Sequence, residues 1–217
     1  VQPRIVILGR ETHRTFSPYS RIFKRVLDLM LVIAAMPVVV PVILFLAFLV
    51  ALDGHNPFYS QKRVGRNGRT FRMWKLRSMV HDADARLQNH LETNVDARAE
   101  WNRKQKLSHD PRITRLGRVL RKSSLDELPQ LLNVLTGDMS LVGPRPMMPE
   151  QRRMYPGVAY FDMRPGVTGY WQISDRNQTS FAARASFDVR YYNDMSLGTD
   201  LKVLMQTIGV VLRGTGC

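Results

Sequence analysis

The sequence predicts an α/β fold, mostly helical with a small β-hairpin, in a monotopic membrane protein anchored by an N-terminal re-entrant helix-break-helix. Three observations carry this expectation. Leu29 to Leu52 is a run of 24 residues without a charge, which as a helix would extend about 36 Å, against a bilayer core of about 30 Å. Basic residues crowd both of its flanks: Arg4, Arg10, Arg14, Arg21, Lys24 and Arg25 before it, and Lys62, Arg63, Arg66, Arg69, Arg72, Lys75 and Arg77 after it. Two short β-prone runs, 58–64 and 70–76, flank Gly65-Arg66-Asn67-Gly68, the pattern of a hairpin.

The apolar run is too long and too free of polar residues for an ordinary core helix. Its flanks decide how it sits. Positive charge is retained on the cytoplasmic side, and one complete crossing would put one basic flank outside. Pro37 and Pro41 lie near the middle and remove the hydrogen bonds to the carbonyls of Ile33 and Pro37. A helix that enters, breaks there and returns satisfies both flanks; a kinked span is the alternative. Asp28, at the entrance, is expected to pair with Lys24 or Arg25.

Beyond the hairpin, Val80 to about Leu91 and Val95 to about Lys106 read as two polar helices. Asp110-Pro111 opens a turn, and Ile113, Leu116, Val119 and Leu120 recur at helical spacing through Lys122. Ser124 to Leu135 reads as a helix, with Ser124-x-x-Glu127 as a capping box, Pro129 near its first turn and Gly137 past its end. Arg164-Pro165-Gly166 is a turn signal. Ser180 to about Asn193 and Thr199 to about Leu212 read as closing helices. The last carries an apolar stripe, Leu201, Leu204, Met205, Ile208, Val211 and Leu212, read as core ahead of the alternative, membrane contact.

Hydrophobic residues make up 44% of the 217, enough for a core and too many for a disordered chain. The formal charge of +14 favours anionic partners: nucleic acid, anionic phospholipid or phosphorylated small molecules. The single cysteine, Cys217, excludes a disulfide framework. The histidines (His13, His55, His81, His90, His109) lack zinc-ligand spacing.

Chemistry concentrates at Asp126-Glu127. Adjacent carboxylates in the first turn of a helix would be favoured as anions by its dipole. With Arg118, Arg121 and Lys122 close in sequence, they suit a divalent cation and a phosphorylated substrate. A carboxylate can also attack phosphorus itself, giving an acyl phosphate. A plain capping role, above all for Glu127, fits the same spacing.

The stretch RKSSLDELPQLLNVLTGDMSLVGPRP at 121–146 closely resembles the bacterial sugar transferase family, the monotopic phosphoglycosyl transferases that begin cell-surface glycan assembly. The resemblance continues through FYSQKRVGRNGRTFRMWKLRSM at 58–79, DPRITRLGRVLRK at 110–122 and YFDMRPGVTGYWQIS at 160–174. It covers the chain from about residue 20, and its closing part resembles the exopolysaccharide-initiating branch that transfers galactose or glucose 1-phosphate. It implies a basic segment (1–21), a re-entrant membrane helix (22–54) and a catalytic domain (55–217) on the cytoplasmic face of the bacterial inner membrane. Pro37 falls where the family breaks its helix, with Met36 where some members carry serine. Asp126 and Glu127 match the family's catalytic dyad: Asp126 would attack the β-phosphate of a UDP-sugar, UDP-galactose or UDP-glucose, and release UMP. Undecaprenyl phosphate would then take the sugar phosphate. Mg²⁺ would sit on Asp126 or Glu127. Arg121 matches the phosphate-contacting position, Lys75 and Arg77 are candidates for the mouth of the site, and Arg145 for the nucleotide. Asp138 fits a turn as well as a ligand, and Trp171 and Tyr170 fit stacking on uracil, insertion at the interface, or the core.

Two other classes remain. A membrane-tethered nucleic-acid binder explains the charge but not Asp126-Glu127, and lipid accounts for basic residues beside the apolar run, so no nucleic acid is expected. An inactive scaffold of the same fold is opposed by the intact Asp126, Glu127 and Arg121. The oligomeric state stays open, a homo-oligomer included.

Overall fold

A computed structural model of the chain describes residues 19–104, 107–174 and 181–212. Arg4, Arg10, Arg14, Cys217 and the start of the helix expected from Ser180 lie outside them.

After a π-helical turn, Tyr19–Phe23, the apolar run forms α1, Lys24–Ala51. It is one continuous helix with both prolines inside it, not the two helices separated by a break that the prolines suggested. Each proline deletes one hydrogen bond on one side, and the bonds around it let the helix continue. Only 11% of its most apolar stretch is buried, which excludes a soluble core helix. Burial is confined to two places, Asp28 with Val32 and Leu46 with Ala47 and Val50, while Val38, Val40 and Leu44 between them are exposed.

Both ends of α1 are fastened to the same body. The hairpin forms as expected, β1 (Phe58–Val64) paired antiparallel with β2 (Thr70–Leu76), Phe58 opposite Leu76 and Val64 opposite Thr70. Its turn places Asn67 and Gly68 at positive φ, the conformation those residue types tolerate best. The polar helices follow as α2 (Ala83–Thr93) and α3 (Val95–Lys104), then α4 (Arg115–Lys122), capped by the Thr114 hydroxyl accepting from Gly117 N–H. A 3₁₀ turn, Leu125–Glu127, leads to α5 (Gln130–Thr136). Val32 of α1 packs with Met73, Val134 and Met139, and Leu46, Ala47 and Val50 pack with Leu76 and Leu120.

Polar ties match the apolar ones. Asp28 does not pair with Lys24 or Arg25: it accepts from the Ser140 hydroxyl at 2.7 Å and Leu141 N–H at 3.1 Å. Lys24 reaches Asp200 at 2.6 Å, and Arg25 donates to the last carbonyls of α5, Val134 and Leu135. These partners lie deeper in the body, so helix and body interlock.

The sequence did not foreshadow a second sheet, in which β3 (Ser140–Val142) pairs parallel with β4 (Gly166–Thr168). It depends on glycine. A Cβ on Gly166 would stand 2.1 Å from Gly143 N, and one on Gly169 2.1 Å from Gly143 O, so these backbones touch where any side chain would force them apart. The short helices α6 (Ala159–Asp162) and α7 (Tyr170–Ile173) precede α8 (Arg184–Asp194) and α9 (Leu197–Leu212). α9 corrects the expected core stripe. Its buried residues are Asp200 and Val203, while Leu201, Met205, Ile208 and Val211 are exposed. α9 docks through the other face, on Val142 and Tyr191 and through a Thr207–Thr168 hydroxyl contact of 2.7 Å.

Candidate active site

β2 is docked on α5 by the apolar contact of Met73 with Val134 and by one polar side chain. The buried Asn133 accepts Trp74 N–H at 3.0 Å and donates to the Arg72 carbonyl at 2.8 Å, bonding the strand much as a neighbouring strand would. That docking places Lys75 opposite the turn preceding α5. Its ammonium lies 2.6 Å from Glu127 Oε1 and 3.9 Å from Asp126 Oδ2. The structure thus brings together Asp126, Glu127 and Lys75.

The expected capping box does not form. Ser124 adopts the left-handed conformation, φ 57°, with no side-chain cap bond. It follows the end of α4, where a left-handed residue commonly terminates a helix, so its geometry serves the preceding helix and not the next. One reading changes as a result: the dyad sits on a 3₁₀ turn ahead of α5, where Lys75 supplies nearby positive charge.

Asp126 is 5% exposed. Burial pushes its carboxyl above the usual range, the Lys75 charge pulls it down, Glu127 pushes it up, and Arg121 pulls it down. The cations therefore offset the cost of keeping a buried carboxylate ionised. Arg121, in the last turn of α4, acts on Asp110 as well.

Arg77 does other work than the sequence suggested. Its guanidinium donates to Asn56 O, Val50 O, Met79 O and both Asp53 carboxylate oxygens. Those bonds use all the donors an arginine has, so Arg77 clamps the end of α1 and has none left for a substrate phosphate. Arg145 lies with its guanidinium 5.3 Å from the Trp171 ring. Tyr170 is a packing residue, edge-on to Tyr191 at 5.5 Å and bonded to Asp194. Asp138 accepts from the Thr136 hydroxyl at 3.0 Å, which makes it a turn former.

Sequence reasoning missed two arginines, Arg63 and Arg184. The charges of Arg145 and Glu127 act on Arg63, and Arg184 lies 4.2 Å from the Trp171 ring. Nothing in the local pattern sets them apart from the chain's other basic residues. Asp188 was missed as well. Its Oδ2 accepts from the buried Tyr155 hydroxyl at 2.6 Å, and burial pushes its carboxyl up to about 7. An acid whose folded pKa is raised contributes stability that is full below its unfolded pKa, near 4, and is lost as pH rises through 7. Asp188→Asn, which cannot ionise, is expected to gain on the unmodified protein by up to about 4 kcal/mol across that window. Urea unfolding of both proteins at pH 4 and pH 8 checks it; an unchanged difference would contradict a buried, titrating Asp188.

Among the described residues no three His, Cys, Asp or Glu side chains cluster as a metal cage. Asp126 and Glu127 nonetheless suit Mg²⁺, which usually takes one or two carboxylates and completes its shell with water and substrate phosphates.

Comparisons with known proteins agree with this arrangement. Residues 19–214 match the model of the family described as bacterial sugar transferase. The chain is 45% identical over 213 residues to the UDP-galactose-lipid carrier transferase of Erwinia amylovora, covering 97% of this chain and 45% of that protein. It is 44% identical over 202 residues to the exopolysaccharide production protein ExoY of Sinorhizobium fredii, covering 92% and 89%. It is 44% identical over 213 residues to the undecaprenyl-phosphate galactose phosphotransferase of Salmonella typhimurium, covering 97% and 45%. It therefore spans less than half the length of the Erwinia and Salmonella relatives and most of the Sinorhizobium protein. With its dyad lying inside the matched region, the chain belongs to the bacterial sugar transferase family.

Proposed function

We propose that the chain transfers a hexose 1-phosphate from a UDP-sugar, UDP-galactose or UDP-glucose, to undecaprenyl phosphate. The observation that carries this is a buried carboxylate, Asp126, held beside Lys75, Glu127 and Arg121. The relatives' names, which include a galactose-lipid carrier transferase and an undecaprenyl-phosphate galactose phosphotransferase, support the substrate classes.

The chemistry follows from the groups present. An Asp126 oxygen attacks the β-phosphorus, forming an acyl phosphate as the bond to the bridging oxygen breaks, and UMP leaves with that electron pair. An oxygen of undecaprenyl phosphate then attacks the same phosphorus, freeing the Asp126 carboxylate and forming a diphosphate-linked sugar. Lys75 holds Glu127 and favours the ionised form of Asp126 against its burial, and Arg121 adds charge where the phosphoryl oxygens gather. Mg²⁺ would be held by Asp126 or Glu127 and would neutralise charge on the donor's diphosphate.

The seat on the membrane belongs to the same proposal. The clamp on Val50 O and Asp53 at one end of α1, and the ties of Lys24 and Arg25 at the other, hold both ends against one body. The exposed middle around Pro37 and Pro41 is then the part that dips into the inner leaflet from the cytoplasmic side. The exposed stripe of α9 extends this apolar surface, because Asp200 of α9 holds Lys24 at the start of α1. Basic residues beside it favour anionic phospholipid.

The test is UMP release by the full chain in nanodiscs with Mg²⁺ and a panel of UDP-sugars, with and without undecaprenyl phosphate. A burst equal to the enzyme concentration without lipid, and continued turnover with it, is the expected result. Turnover with lipid but no burst without it would refute the covalent step.

A further inference from the structure

We infer that Arg63 and Arg184 join Arg145, which the family resemblance already gives to the nucleotide, in binding the phosphate of the donor's nucleotide half, at a place distinct from Arg121. The inference rests on the sugar-nucleotide reading above. The three side chains come from separate elements: Arg63 from β1, Arg145 from the turn after β3, and Arg184 from the start of α8. Arg145 and Arg184 lie 5.3 and 4.2 Å from the Trp171 ring, and Arg184 also lies 4.8 Å from that of Phe181. Burial, and after it the charge of Arg145, pulls Arg63 and Arg184 each down to about 10.

Among the described residues, none of the three forms a salt bridge. The acid acting on Arg184, Asp188, gives its Oδ2 to Tyr155. Arg63 donates to Pro146 O and Gln61 Oε1, while its Nε and that of Arg184 are buried without a partner. Glu127 and Asp188 act on Arg63 and Arg184 only at longer range than an ion pair, so the converging cations still repel one another, and an anion among them turns that cost into attraction. The indole among them adds a surface on which a base can stack. A nucleoside monophosphate combines both features.

Contacts separate this place from Arg121. Arg63 itself donates to Pro146 O, beside Arg145, and to Gln61 Oε1 of its own strand. Next to Arg121, Leu120 packs on Leu46, Ala47 and Val50 of α1. The soluble nucleotide is therefore assigned to the arginine cluster and the lipid phosphate to the Arg121 side. The Glu127 charge acts on Arg63, so one diphosphate can bridge cluster and dyad, its β-phosphate at Asp126 and the departing phosphate at the arginines.

The test measures UMP and uridine binding to the full chain in nanodiscs by calorimetry. Arg63→Gln and Arg184→Gln are expected to weaken UMP about 10-fold or more and uridine less than about 2-fold, with Arg63→Lys and Arg184→Lys in between. Arg121→Gln is expected to leave UMP binding unchanged and to raise the KM for undecaprenyl phosphate. UMP affinity unchanged in the glutamine variants overturns the inference alone. So does an equal loss for UMP and uridine, which marks a purely structural role. If the glutamine variants do not fold, the lysine variants decide by the same UMP-to-uridine ratio. Failure of the unmodified protein to bind UMP overturns the sugar-nucleotide reading as well.

Discussion

On the proposed mechanism, Asp126→Asn is expected to stop the release of UMP, lowering turnover by at least about 1000-fold, while leaving membrane association unchanged. The asparagine amide has the shape of the carboxylate but cannot form the acyl phosphate. Because burial already works against the charged form of Asp126, the neutral amide leaves the fold at least as stable. A thermal melt at or above that of the unmodified protein is therefore expected beside the dead reaction. Glu127→Gln keeps the nucleophile but loses the charge held by Lys75 at 2.6 Å, and its loss is smaller, on the order of 100-fold. Near-normal turnover by Asp126→Asn would remove the covalent mechanism.

Asp200→Ala costs about 3–5 kcal/mol of stability, the largest loss expected from a single change outside the dyad. Asp200 is 1% exposed and accepts from Lys24 at 2.6 Å, Tyr19 at 2.6 Å and Tyr191 at 2.7 Å. Truncation leaves a largely buried ammonium and the Tyr19 hydroxyl without this acceptor, and leaves the Tyr191 hydroxyl only the longer bond to Val142 O at 3.3 Å, and the penalty comes mostly from those stranded groups. Removing both charges, as Lys24→Met with Asp200→Leu, is expected to cost less than Asp200→Ala alone. Denaturant unfolding in a fixed detergent reads the series. A double variant as unstable as the single one would mean that packing of α9, not the ion pair, dominates.

Much of this molecule was legible from local pattern. The apolar run, the hairpin with its Asn67-Gly68 turn and the helices from 83 to 122 each have a signal within a few residues. The dyad was legible through motif. Tertiary context defeated the rest. Ser124 carries the letters of a cap, yet the end of α4 takes its backbone. The β3–β4 pair, three residues a strand, is too short for periodicity, and only the contacts between Gly143, Gly166 and Gly169 reveal it. Arg77 and Arg63 look alike in sequence. One spends every donor on α1, the loop after it and Met79 O; the other keeps a donor unmet, a difference set mostly by partners from 21 to 83 residues away. The α9 stripe was misread because amphipathicity identifies an apolar face without saying what covers it.

The docking of Asn133 has a consequence for self-association. An open hairpin presents an unpaired backbone edge, on which strands of other copies can add and seed fibrils. Here the Asn133 amide occupies the outward N–H of Trp74 and the outward carbonyl of Arg72, and Val64 N–H on β1 is taken by Met147 O at 2.9 Å. On the proposed membrane seat the protein would meet its own copies often, and this one side chain both aligns the hairpin and withholds its edge as a template for aggregation.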